Sequence, residues 1–120
     1  MFIPTNTVPE KKSFTPTSDV YLESGHVCIQ HKVAEKIFGS ETAVFSIFYP
    51  ADKTFLVAPV SEELFKNIHK AAQQMLKSKN AAGDRSVSIQ ELLLDNDLTD
   101  SDRDLDFVAE EALHILKVHL

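Results

Sequence analysis

The chain has 120 residues, of which 43% are hydrophobic and 25% charged, as is typical of one globular domain. No apolar run approaches the roughly 18 residues of a membrane span, and the N-terminus lacks a basic stretch followed by an apolar one. We therefore expect a protein without a membrane span or a secretory signal. A single cysteine, Cys28, excludes an internal disulfide and favours a reducing compartment, which predicts a cytoplasmic protein.

Charge is unevenly distributed along the chain, whose formal net charge is −6. Residues 1–83 hold nine lysines and eight acidic residues, whereas residues 84–120 hold ten acidic and three basic residues. An acidic half of this kind typically faces solvent or a basic partner. It disfavours broad nucleic-acid affinity, which requires a net basic surface.

The first 18 residues contain three prolines, Pro4, Pro9 and Pro16, which interrupt helices and sheet ladders. We predict that residues 1–18 form a flexible or extended arm. The remaining residues, 19–120, are long enough to bury a core and are predicted to form a single domain.

A hairpin and a short amphipathic helix are predicted next. Residues 20–23 and 26–30 are short apolar segments on either side of a turn at Gly25, where glycine permits a positive φ. Residues 31–38 carry their apolar side chains on one helical stripe, and Gly39 ends that helix.

Residues 43–50 and 54–59 predict a second β-hairpin, because both segments are rich in aromatic and β-branched residues. Both faces of this hairpin are apolar, so both must be covered. A second copy of the chain would supply one of the covers, which leads us to expect a homodimer formed through this hairpin or the first helix.

Residues 61–78 predict the longest helix of the chain. Ser61 is a suitable N-cap, and Glu62 and Glu63 lie in the first turn, where the helix dipole favours acidic side chains. The apolar residues of this segment fall on one helical stripe: Leu64, Phe65, Ile68, Ala71, Ala72, Met75 and Leu76.

The C-terminal third is predicted to be mainly helical. A short strand at 85–89 and a short helix at 89–94 precede an acidic stretch, and residues 105–116 have apolar residues at helical spacing. The final residues, 115–120, alternate well enough to form a strand instead. The predicted fold class is therefore α+β, with a small antiparallel sheet, a packed helix at 61–78 and a mainly helical C-terminal third.

The strand, helix and hairpin order of residues 22–77 resembles the half-motif of the swapped-hairpin transcription factors of the AbrB, MazE and MraZ families. In those proteins a Gly-x-Val-x-Ile strand leads into a short helix and then a hairpin that ends near a proline, as at Pro59 here. The matching positions in the strand and helix are Gly25, Val27, Ile29, Val33, Glu35, Ile37 and Gly39.

This resemblance implies a DNA-binding regulator whose basic residues contact phosphates, and it points to Lys32 and Lys36 as the nucleic-acid contacts. Gln30 and His31 stand where the family usually has a proline and basic residues. Because the whole chain is also acidic, we retain DNA binding as the alternative function.

Residues 95–106, DNDLTDSDRDLD, match the length of an EF-hand calcium loop. The loop lacks the glycine required at its sixth position, where Asp100 stands, and it ends in Asp rather than Glu. We therefore predict no metal site and interpret the stretch as a solvated acidic loop or a docking surface for a basic partner. The predicted partner-binding residues are Asp95, Asp97, Asp100, Asp102 and Asp104.

Catalytic motifs are scarce. The three glycines, Gly25, Gly39 and Gly83, form no phosphate-binding loop, and the five histidines have no metal-ligand spacing. His31 and Glu35, four residues apart, form one candidate general-base pair of a kind that is common on helix surfaces. We predict no catalytic residues and no cofactor, and a non-enzymatic, homodimeric interaction protein whose acidic segment binds an unknown protein partner.

Overall fold

The computed structural model describes residues 14–120, and strands predominate in this part of the chain. Ten strands are present there: β1 (Val20–Glu23), β2 (His26–Ile29), β3 (Ala43–Tyr49), β4 (Thr54–Pro59), β5 (Ala72–Met75), β6 (Lys77–Ser78), β7 (Arg85–Ser88), β8 (Arg103–Asp104), β9 (Asp106–Glu110) and β10 (Ile115–His119). Three short α-helices accompany them: α1 (His31–Phe38), α2 (Glu63–His69) and α3 (Gln90–Asp95).

The strands form two antiparallel sheets of five strands each. The strand order is β6-β7-β2-β1-β8 in the first sheet and β5-β3-β4-β10-β9 in the second. Only Leu76 separates β5 from β6, and only Leu105 separates β8 from β9. Because these four strands are the edges of the two sheets, the sheets are continuous along both sides and close on each other as a flattened barrel.

The main hydrophobic core lies between the two sheets. Side chains alternate along each strand, so every second residue points inward. The inward-facing residues include Val20, Leu22, Val27, Ile29 and Val87 from the first sheet and Val44, Phe55, Val57, Leu116 and Val118 from the second. Helix α1 packs its apolar stripe against this core through Val33, Ala34, Ile37 and Phe38.

A second, smaller cluster covers the outer face of the second sheet. Phe65 of α2 and Ala71 pack over Phe45, Leu56 and Ala58. The β3–β4 hairpin is therefore covered on its inner face by the first sheet and α1, and on part of its outer face by α2. We expected a homodimer because this hairpin needs a cover on both faces. Since the chain itself supplies these covers, the hairpin no longer supports a homodimer, which stays a prediction.

Several predicted elements are confirmed with nearly the expected bounds: the β1–β2 and β3–β4 hairpins, α1, β7 and α3. Local chemistry explains the ends of α1. The side chain of Gln30 accepts a hydrogen bond from the Lys32 N–H, and Gly39, with φ of 58°, donates its N–H to the Glu35 carbonyl at 3.0 Å. The β1–β2 turn contains Gly25 with φ of 75°, as its glycine predicts.

The predicted helix over 61–78 forms only over Glu63–His69, and its N-cap is Glu62 rather than the predicted Ser61. Helix α2 ends at Lys70, which adopts a left-handed conformation, and the chain continues as β5 and β6. β5 pairs with the edge of β3, whose N–H and C=O groups require partners. Gln74 then links the two sheets, because it accepts from Ser46 Oγ at 2.6 Å and donates to the Ser88 carbonyl at 2.8 Å.

The mainly helical C-terminal third is also wrong, and with it the predicted fold class. Strands account for 40% of the structure and helices for 22%. Residues 105–116 form β9, a 3-10 turn and the start of β10, because β4 offers an edge that β10 extends. The alternative of a terminal strand is confirmed by β10, in which Leu116 and Val118 are fully buried.

Most of the predicted arm, residues 1–13, lies outside the described residues. Within the rest of it, the ring of Phe14 lies 6.0 Å from the ring of Tyr21 on the outer face of the first sheet. Across residues 14–120, no helix is both long and apolar enough to cross a membrane.

Candidate functional site

The acidic segment, residues 95–106, connects the end of α3 to β8 and β9 and has a defined path. The side-chain amide of Asn96 donates to the Leu92 carbonyl at 2.8 Å, which caps α3. The Leu98 N–H then donates to the Leu93 carbonyl at 2.9 Å, so the chain folds back on the helix. Leu98 is partly buried and packs against the main core, which anchors the segment.

Arg103 fixes the second half of this segment. Its Nη1 atom donates to the carbonyls of Thr99 and Ser101 at 3.1 and 3.0 Å, and its Nη2 atom donates to the carbonyl of Leu120 at 3.3 Å. A planar guanidinium that bonds three carbonyls holds the loop in one geometry. Hydrogen bonds to the rest of the chain thus fix the conformation of the acidic segment.

The structure divides the five predicted partner-binding carboxylates into two groups. Asp102 accepts a hydrogen bond from the Ser24 N–H at 3.0 Å, and Asp104 accepts from the Thr17 hydroxyl and from the N–H groups of Thr17 and Ser18. These bonds, the one from the Thr17 hydroxyl foremost, hold the pKa of Asp104 below its usual value. Asp102 and Asp104 therefore bind other parts of the same chain.

Asp95, Asp97 and Asp100 form the other group. All three are exposed, and their side-chain carboxylates have no hydrogen-bond or ion-pair partner among residues 14–120. Asp100 lines a cavity of about 390 Å³ together with Gln90, Leu93, Leu94, Leu98 and Thr99. Leu94 lines this cavity and is 78% exposed, so it adds an apolar contact to the surface. We call this cavity, together with Asp95 and Asp97, which adjoin the lining residues Leu94 and Leu98 in the sequence, the acidic cleft.

No group of three His, Cys, Asp or Glu side chains within residues 14–120 is arranged to hold a metal ion. The first and last residues of the EF-hand-like stretch lie in different elements, since Asp95 ends α3 and Asp106 begins β9. Among residues 14–120, the carboxylates of this segment are not gathered around one point as the ligands of a calcium loop are.

The two lysines that the resemblance assigns to DNA lie on the exposed side of α1. Lys36 Nζ lies 3.7 Å from Glu111 Oε2, and Glu35 is also exposed on the same helix. Acidic neighbours reduce the positive potential that Lys32 and Lys36 offer to a phosphate backbone.

The histidine of the candidate His31–Glu35 pair instead contacts Asp84, a residue 53 positions away. His31 donates its backbone N–H to Asp84 Oδ1 at 2.8 Å, and its Nδ1 atom lies 3.3 Å from the same oxygen. Partial burial alone would raise the pKa of Asp84, but the hydrogen bonds from Asn80 and His31 outweigh it and lower that pKa. No local pattern in the sequence indicates this contact.

Cys28 is buried on the first sheet beneath Tyr21 and Lys79. Burial raises the pKa of its thiol to about 11. The thiol is therefore protonated at neutral pH and is a poor nucleophile, as expected for a structural cysteine.

Comparisons with protein-family models, curated proteins and solved structures give no match to this chain.

Proposed function

We propose that this chain is a non-enzymatic interaction protein whose acidic cleft binds a basic segment of a partner protein. One observation carries the proposal. One exposed carboxylate, Asp100, lines a cavity together with an exposed leucine, Leu94, and two further exposed carboxylates, Asp95 and Asp97, adjoin lining residues in the sequence. A lysine- or arginine-rich segment that carries one apolar side chain matches this surface in both charge and polarity.

The two parts of the cleft contribute differently to binding. Asp95, Asp97 and Asp100 are solvent-exposed, so they act mainly by steering a cationic partner and by raising its association rate. Leu93, Leu94 and the apolar wall of the cavity offer a place to bury an anchor side chain, which supplies affinity.

The rigidity of the segment also favours binding. Because Arg103 and Asn96 already fix the loop, little conformational entropy is lost when a partner binds. A loop that had to be ordered first would lose part of the interaction energy in that step.

The test compares two variants that carry the same net charge. In one, Asp95, Asp97 and Asp100 are replaced by Asn; in the other, the exposed residues Asp19, Asp52 and Glu63 become Asn, Asn and Gln. Each variant loses three carboxylates, so its net charge rises from −6 to −3. The probe is a synthetic peptide with lysines on both sides of one leucine, and its affinity is measured by isothermal titration at low salt.

We expect the cleft variant to bind the peptide about tenfold more weakly than the unmodified protein, since three exposed charge pairs contribute roughly 0.5 kcal/mol each. The control variant should keep most of the affinity. Equal losses in the two variants would show that the peptide responds only to overall charge, and the proposal would fail.

The alternative function is a DNA-binding regulator, which the resemblance of residues 22–77 supports. It predicts duplex binding that weakens steeply with salt and that is lost when Lys32 and Lys36 are replaced by Gln. The acidic neighbours of these lysines are the reason that we place it second.

A further inference from the structure

A second cavity, separate from the acidic cleft, lies at the start of β7. The acidic cleft lies beyond the C-terminal end of the same strand, where it is lined by residues of α3 and of the loop after it. This cavity has a volume of about 460 Å³, within the range of small-molecule sites. The polar residues at its wall are His31, Glu35, Ser40, Thr42, Ser78 and Arg85. We call it the Arg85 cavity.

Arg85 is fixed by hydrogen bonds, but no carboxylate of residues 14–120 pairs with its positive charge. Its Nη2 atom donates to the carbonyls of Glu41 and Leu76, which fixes the plane of the guanidinium. Its Nε atom is buried and has no hydrogen-bond partner, and no carboxylate of residues 14–120 lies within 4.0 Å of the group. Partial burial of a cation without a counterion costs free energy, so an anion bound beside Arg85 would be stabilised.

Further polar groups converge on the same cavity. Asp84 bonds the backbone and Nδ1 side of His31, which leaves the Nε2 side of that ring for another partner. The hydroxyls of Ser40 and Thr42 make no hydrogen bond within residues 14–120 and lie at the cavity wall. One fixed cation, one oriented imidazole and two hydroxyls are a suitable set for an oxyanion and its neighbouring atoms.

We propose that the Arg85 cavity binds a small organic molecule through a single carboxylate group, with Arg85 as its main contact. The charge around the cavity favours a monoanion over a phosphate. Arg85 is the one permanent cation at the wall, whereas Glu35 lines it and Asp84 lies behind His31. Each negative charge on a ligand is repelled by these two carboxylates, so a phosphate dianion is disfavoured more than a carboxylate monoanion. The carboxylate can accept from Nη1, the Arg85 nitrogen that is neither hydrogen-bonded within residues 14–120 nor buried.

The experiment titrates the full chain with acetate, butyrate and benzoate, and with inorganic phosphate at the same ionic strength. Binding is followed by the amide chemical shifts of isotope-labelled protein. We expect saturable shifts with the carboxylates around the Arg85 cavity, and affinity for phosphate at least tenfold lower. Linear, unsaturated shifts with every carboxylate, or phosphate binding as tight as carboxylate binding, would overturn the proposal.

Two substitutions localise the site. Arg85→Lys keeps the charge but removes the Nη1 donor, which the bonds of Nη2 to two carbonyls hold in place, and it should weaken carboxylate binding at least tenfold. Arg103→Lys is the matched control, because Arg103 also bonds backbone carbonyls but lies away from the cavity. Full binding by a folded Arg85→Lys variant would contradict the proposal.

A steric variant keeps the test decisive if Arg85→Lys does not fold. Ser40 is exposed at the cavity wall, so Ser40→Trp should obstruct the cavity without disturbing the core. Ala51→Trp, in the exposed β3–β4 turn, is the control. We expect Ser40→Trp to abolish carboxylate binding and Ala51→Trp to leave it intact. Equal binding by both would place the ligand elsewhere and refute the assignment.

Discussion

At the scale of single residues, aspartates that are indistinguishable in the sequence have different roles in the structure. Asp84, Asp102 and Asp104 accept hydrogen bonds from distant parts of the chain, whereas Asp95 and Asp97 face solvent. The distant partners of Asp84, Asp102 and Asp104 lie 53 to 87 positions away, so no local spacing reveals which carboxylates are structural. The acidity of the segment was predictable, but this division was not.

Asp84 gives a prediction about pH. Its pKa is lower in the folded chain than in the unfolded chain, so its ionised form stabilises the fold. That contribution is fully present above the unfolded pKa of about 4 and is lost as the pH falls through the lower folded pKa. Asp84→Asn should reduce the free energy of unfolding by about 1–2 kcal/mol at pH 7.

Urea unfolding of the unmodified protein and of Asp84→Asn, at pH 7 and again below pH 4, measures this effect. The difference between the two proteins should shrink as the pH falls. Asp52→Asn, at an exposed position, is the control and should change little at either pH. A difference that stays constant or grows at low pH would contradict the assigned role of Asp84.

At the scale of elements, the sequence predicts those helices and hairpins whose stabilising contacts lie between residues close together in the chain. Helix α1 and the two hairpins were predictable because their caps, turns and apolar stripes lie within the same few residues. β5 was not, because it forms by pairing with the distant edge of β3, and β9 was not, because it forms beside β10. β10, which pairs with β4, was predicted only as an alternative to a helix. For residues 115–120 a strand period fits as well as a helical one, and the open edge of β4 decides between them.

The split of residues 61–78 into α2 and β5 gives a second prediction. A single amphipathic helix would bury Leu64 and Leu76 alike. In the structure Leu64 is 70% exposed, whereas Leu76 is 2% exposed at the corner between the sheets. Leu76→Ala should therefore cost about 2–5 kcal/mol of unfolding free energy, and Leu64→Ala about 0.5 kcal/mol or less. Similar costs for the two substitutions in denaturant unfolding would favour the continuous helix.

At the scale of the whole molecule, the closed pair of sheets separates two potential binding regions. The Arg85 cavity lies where β7 begins, and the acidic cleft lies beyond its end, around α3. The uneven charge of the sequence predicted an acidic surface in the last third of the chain. It did not predict the apolar cavity beside that surface, because the cavity depends on how Leu98 folds back against α3.

We propose that the acidic cleft, and not the acidic chain as a whole, recognises a basic partner. The most direct test is a titration of isotope-labelled protein with the lysine-rich peptide, followed through the amide chemical shifts. We expect saturable shifts concentrated at residues 90–100, with α1 and α2 largely unaffected. Shifts spread over every acidic surface, or centred on another element, would contradict it.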